Sequence, residues 1–121
     1  MDCETTLADC KTRVQKFCEE RDWDQYHNPK DLSIGIITEA SELLEKFRFQ
    51  NEHDSTGMLL DQNKREAIEQ ELADILFFVL RFSQRFEIDL DTAIQSKLAI
   101  NAEKYPVERA HGSNLKYTEL Q

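Results

Sequence analysis

Glu39 and Glu42, then Glu71 and Asp74, form two pairs of carboxylates, each pair three residues apart in an apolar, helix-forming stretch. Residues three apart share a helix face. Each segment therefore aims two like charges the same way, beside side chains that favour burial. Uncompensated charge next to a core is costly. A hard divalent cation offsets that cost, and an all-oxygen ligand set suits Mg²⁺, with Mn²⁺ as a substitute. One such pair reads equally well as a solvated helix face. Its repetition in the most apolar helix of the chain favours a shared metal site, because two antiparallel helices can bring all four groups around one point. A redox di-iron bundle needs Glu-x-x-His ligands from two helices, and the chain has that spacing once, Glu108 to His111, in its polar tail. Metal-assisted handling of phosphates fits better.

Two further groupings could do chemistry. Lys97, Asn101 and Lys104 follow each other at steps of four and three, on one stripe of a helix. Two ammonium groups and an amide at that spacing can grip phosphate oxygens. The same stripe is also ordinary solvated surface, or compensation of a helix dipole. His27 stands near Trp23 and Tyr26. Aromatic faces stack on nucleobases and a ring nitrogen can hydrogen-bond a base edge; a His among aromatics serves equally as a structural group.

The elements that must position these residues are helices. Apolar spacing is helical nearly throughout, with no convincing alternating strand. A first helix is expected from about Thr6 to Glu20, with Leu7, Cys10, Val14 and Phe17 inward. An aromatic and polar connection, Asp22 to His27, follows. Asn28-Pro29 starts a second helix, since Asn caps and Pro suits the first turn. That helix runs to about Phe49, with Leu32, Ile36, Ala40, Leu43, Leu44 and Phe47 on one apolar arc and Glu39 and Glu42 at its edge. Residues 51 to 62 read as a polar loop, long enough to act as a lid. A third helix spans about Asn63 to Phe86. Its run Ile75 to Leu80 is apolar almost all round, so it is central or shared with another subunit. Asp89 or Asp91 caps a fourth helix that reaches about Lys104 and ends at Tyr105-Pro106. The expected fold is all-α and four-helix-bundle-like, one domain over 1–121 with its core at about 6–106 and a loosely held tail at 107–121.

Composition bounds the function. A formal net charge of −9 argues against nucleic-acid polymers and anionic membranes as partners. It leaves room for a small anion delivered with a metal. The run Ile75 to Leu80 is far too short to span a bilayer. Met1-Asp2-Cys3-Glu4 lacks the basic and apolar regions of a signal peptide, so a cytoplasmic location is expected. Cys3, Cys10 and Cys18 are an odd count with no Cys-x-x-Cys, and Cys10 and Cys18 read as small core residues.

Glu39-x-x-Glu42-x-x-Glu45 followed by Glu71-x-x-Asp74 resembles the all-α nucleoside triphosphate pyrophosphohydrolases of the MazG-like group. Asn101-Ala-Glu-Lys104-Tyr105-Pro106 is similar to that group's fourth-helix signature. The stretch from Phe17 through Trp23, His27 and Pro29 resembles the branch acting on deoxycytidine triphosphate. The likeness covers about residues 13 to 107. It implies that Glu39, Glu42, Glu71 and Asp74 bind Mg²⁺. It also implies that Lys97, Asn101, Lys104 and Tyr105 help hold the triphosphate, and that His27 and Trp23 lie near the base. Phe49 stands where that branch has Trp, and Phe78 where it has Tyr; stacking survives both changes. Hydrolysis to a monophosphate plus pyrophosphate would then follow, with Glu42 and Glu45 both qualifying to orient or deprotonate water. The likeness further implies an obligate homo-oligomer, tetramer ahead of dimer, that clears unwanted deoxynucleotides. The alternatives are a relative acting on dUTP or phosphoribosyl-ATP, and a non-catalytic metal-binding helical oligomer.

Overall fold

The computed structural model describes residues 1–120, and among these there are helices and turns but no strand. Six α-helices occur: α1 Leu7–Glu19, α2 Pro29–Lys46, α3 Glu52–Gly57, α4 Gln62–Arg85, α5 Leu90–Lys104 and α6 Val107–Ala110. Short 3₁₀ turns lie at Asp24–Tyr26, Met58–Leu60 and Tyr117–Glu119. The four long helices α1, α2, α4 and α5 correspond to the four expected from the apolar spacing.

Side-chain caps decide where these helices begin. Thr6 and Asp9 form a reciprocal capping box at α1, with the Thr6 hydroxyl accepting from Asp9 N at 3.1 Å and Asp9 Oδ2 accepting from Thr6 N at 2.9 Å. Asn28 Oδ1 accepts from Asp31 N at 2.9 Å, with Pro29 in the first turn of α2. Asp61 caps α4 through Lys64 N at 3.0 Å, and Asp89, not Asp91, caps α5 through Thr92 N at 2.8 Å. Each such cap contributes about 1 kcal/mol.

The expected lid at 51 to 62 is instead ordered as α3 and a 3₁₀ turn. Asn51 provides the reason: its side-chain oxygen accepts from Asp54 N at 2.8 Å and starts a helix in a segment that otherwise reads as turn-forming. The tail is also more structured than expected. It carries α6, and Tyr117 packs edge-on against Tyr105 with ring centroids 5.9 Å apart.

The chain divides into two compact units, Met1–Glu87 and the residues from Ile88 onward. In the first, α4 packs against both α2 and α1, most extensively against α2. Cys18, Leu32, Ile68 and Leu80 are its buried apolar residues. Gly35 lets α2 and α4 come close: a Cβ there would lie 2.5 Å from the Phe78 ring. An edge-to-face series, His27–Trp23–Phe17–Phe77–Phe78, runs from the α1–α2 connection to the middle of α4. The apolar arc of α2 is only partly covered. Leu32 is buried, but Leu44, expected inward, is 70% exposed. In α1, Leu7 and Phe17 are likewise exposed.

Candidate metal centre and active site

The face where α2 meets α4 carries the acidic residues. One carboxylate oxygen from each of Glu39, Glu42 and Glu71 lies within 4.8 Å of the others. Such spacing arises because Glu39 and Glu42 are nearly one turn apart on α2 while Glu71 enters from the facing helix. Asp74 is exposed, one turn on from Glu71, and its charge still acts on Glu39. Glu39 is pushed up to about 7, first by burial, then by a hydrogen bond shared with Glu42, then by the charges of Glu42, Asp74 and Glu71. The Oε2 atoms of Glu39 and Glu71 are buried with no hydrogen-bond donor. Lys46 brings an ammonium within 3.6 Å of Glu71 Oε1 and supplies part of the missing positive charge.

These residues fit a hard divalent cation. Three carboxylate oxygens converge, two donorless buried oxygens belong to the same group, and every donor is oxygen. Glu45 stands apart from the trio: it is exposed and pairs with Arg48 at 3.5 Å.

The proposed base-contacting residues are distributed as follows. His27 and Trp23 meet edge-on at 6.1 Å. Phe78 lies half-buried against Gly35. Phe49 is 90% exposed, with a φ of 67° and the Arg48 guanidinium 4.7 Å from its ring centroid. In the second unit, Lys97 and Lys104 are exposed on α5 and Asn101 is half-buried. Lys104 Nζ sits 4.9 Å from the Tyr117 ring, and Tyr105 N donates to Asn101 O at 2.8 Å.

Residues 34–120 match the model of the MazG-like family. This chain belongs to the MazG-like family. Among its relatives, dCTP pyrophosphatase 1 of Homo sapiens is 35% identical over 117 residues, spanning 97% of this chain and 69% of that protein. The Rattus norvegicus protein of the same name is 34% identical over the same shares. A crystal structure of a pyrophosphatase from Archaeoglobus fulgidus superimposes with a TM-score of 0.76 at 31% identity, covering 83% of this chain and 92% of the other.

Against this MazG-like frame, two charged residues were missed at the level of sequence. Lys46 lies four residues after Glu42 and seven after Glu39, so its helical position already aims it at the acidic face. Arg81 follows the apolar run directly and is wholly buried, with Asp24, His27 and Gln84 as partners. A charged residue directly after the apolar run, on the stripe of α4 that is buried, was the available signal.

Proposed function

We propose that the acidic face of α2 and α4 is the catalytic centre of this chain's reaction, with Glu39, Glu42, Glu71 and Asp74 holding Mg²⁺ or, in its place, Mn²⁺. The chain is a nucleotide pyrophosphohydrolase of the MazG-like family. The reaction adds water to the α-phosphorus of a nucleoside triphosphate and releases the monophosphate and intact pyrophosphate. The observation that carries the assignment of the centre is the convergence of three carboxylate oxygens within 4.8 Å, two of these residues also having a buried oxygen with no donor.

A cation bound there supplies neutralisation of triphosphate charge and acidification of water. The protein's own groups do the rest. Glu42 and Glu45 are the candidates for taking the proton of the attacking water; Glu45, lying outside the converging trio, keeps lone pairs for that role. Lys97, Asn101 and Lys104 take phosphate oxygens on the departing side, with Tyr105 closing their helix. Trp23, His27, Phe49 and Phe78 form the base-recognising set, and deoxycytidine triphosphate, with or without a 5-substituent, is the preferred substrate. The family match runs across both units, which supports treating 1–121 as one domain. The protein works as a homo-oligomer, tetramer ahead of dimer, in the cytoplasm, where free nucleotides are. No helix among the described residues is long and apolar enough to cross a membrane.

A pyrophosphate-release assay over a panel of nucleotides in isotopically labelled water tests this reading. Label is expected in the monophosphate, with dCTP and 5-methyl-dCTP turned over best. Glu71→Gln should lower kcat by roughly 100-fold or more. Label in free phosphate, full activity of Glu71→Gln, or full activity of the unaltered protein in excess chelator overturns it. Preference for dUTP or phosphoribosyl-ATP would move the chain to another branch.

A further inference from the structure

Arg81 is 0% exposed. A buried guanidinium is costly unless its donors are matched, and here all three nitrogens have partners. Nε donates to His27 Nδ1 at 2.8 Å. One terminal nitrogen donates to Gln84 Oε1 at 2.6 Å, and the other pairs with Asp24 Oδ1. Two of these three partners belong to the connection between α1 and α2, whose only regular structure is the 3₁₀ turn Asp24–Tyr26. Arg85 adds a second cation, 3.7 Å from Asp24 Oδ2.

The chemistry of this contact fixes a proton. A guanidinium stays charged and only donates, so His27 Nδ1 must present a lone pair. The single ring proton is then on Nε2. Burial, followed by the charges of Arg81 and Arg85, holds His27 below its ordinary value, while Asp24 opposes them. Both cations thus disfavour a second ring proton. The ring edge away from Arg81 therefore offers a donor and no acceptor.

We propose that Arg81 is a positioning residue that locks His27 as the Nε2–H tautomer, so that the base site presents a hydrogen-bond donor and favours a pyrimidine with an acceptor ring nitrogen. Cytosine has a lone pair at N3 where uracil and thymine carry N–H. Uracil and thymine accept only at their carbonyl oxygens, so the lock favours cytosine where the Nε2–H meets the N3 position of the base. It rests on the reading above that His27 lies at the base.

Long-range proton–nitrogen correlation spectra of the ¹⁵N-labelled full chain test the tautomer without any substitution, with His27→Ala identifying the signals. A pyridine-type Nδ1 and a protonated Nε2 are expected at neutral pH. Adding dCMP should shift the His27 Nε2 signal, and dUMP or dTMP should shift it far less. In Arg81→Met the ring should become a tautomer mixture, with KM for dCTP raised roughly five-fold, the worth of one net hydrogen bond, and kcat changed less. An Nδ1–H or doubly protonated ring in the unaltered protein overturns the lock even if Arg81→Met does not fold. If instead the ring is Nε2–H but dCMP leaves it unmoved and His27→Ala leaves KM unchanged for every nucleotide, the placement of His27 at the base falls, and the specificity claim with it.

Discussion

As a proposed metal ligand, Glu39 would link stability to metal binding, because its carboxyl is pushed up to about 7 in the folded chain. Burial is the largest cause, followed by the hydrogen bond and charge of Glu42 and the charges of Asp74 and Glu71. In the unfolded chain an ordinary Glu titrates near 4.3. Between these two values the folded state binds more protons than the unfolded state. The metal-free protein should therefore lose stability as pH rises through that window, and the slope should flatten above about 7. Divalent cation competes with the same proton, so its affinity should fall as pH drops below about 7. Thermal unfolding from about pH 5 to 8, in chelator and in excess Mg²⁺, checks both: a falling profile in chelator and a flat or rising one with Mg²⁺ are expected. Parallel profiles would detach Glu39 from the site. The convergence of Glu39, Glu42 and Glu71 was legible in the sequence, because like charges at helical spacing beside apolar residues demand a compensating partner; Asp74, expected with them, stands exposed outside the converging trio. The role of Arg81 was not legible, because two of its three partners lie 54 and 57 residues away, and no local pattern encodes such contacts.

At the level of elements, the long helices were legible because their caps and their apolar period agree. Thr6 and Asn28 mark starts that the 3.6-residue pattern independently requires, whereas α5, which buries none of its residues, was legible from its Asp89 cap and its Tyr105-Pro106 end. The segment from residue 51 to 62 was misread since its Asp, Ser and Gly favour turns, while Asn51 supplies a cap to the same short stretch. Which apolar residues are covered was less legible still: periodicity says that a face is apolar, not what lies against it, and Leu44 remains open. Gly35 is the place where the α2–α4 approach depends on one residue. In a helix interior, Ala outranks Gly by about 1 kcal/mol. Here the added methyl would sit 2.5 Å from Phe78 Cδ1 and Cε1, and overpacking of this kind costs about 1–3 kcal/mol. Steric cost should win. Gly35→Ala is expected to lower the midpoint of denaturant unfolding, and to reduce activity by displacing Glu39, one turn along, from Glu71. A stabilised variant would mean that Phe78 swings aside freely.

For the whole molecule, the open apolar residues argue for assembly. On α2, Ile37 and Leu44 are 69% and 70% exposed, and on α4, Leu72 and Leu76 are about half exposed. Covering one such side chain contributes about 1.5–3 kcal/mol, and a second copy of the chain presents the same residues for mutual burial. Assembly also brings together protomers that each carry a net charge of −9. Their mutual repulsion is long-ranged and is screened beyond roughly 10 Å at 0.1 M salt, whereas apolar burial is not weakened by salt. Added salt should therefore tighten the oligomer, the reverse of what an interface built on ion pairs would do. Light scattering across a dilution series is expected to give a tetramer, or failing that a dimer, with dissociation shifting to lower concentration as NaCl is raised. Leu76→Glu should shift the chain toward monomer and reduce turnover together. A monomeric wild-type protein with full activity at micromolar concentration, or an oligomer that salt dissociates, would contradict an apolar interface.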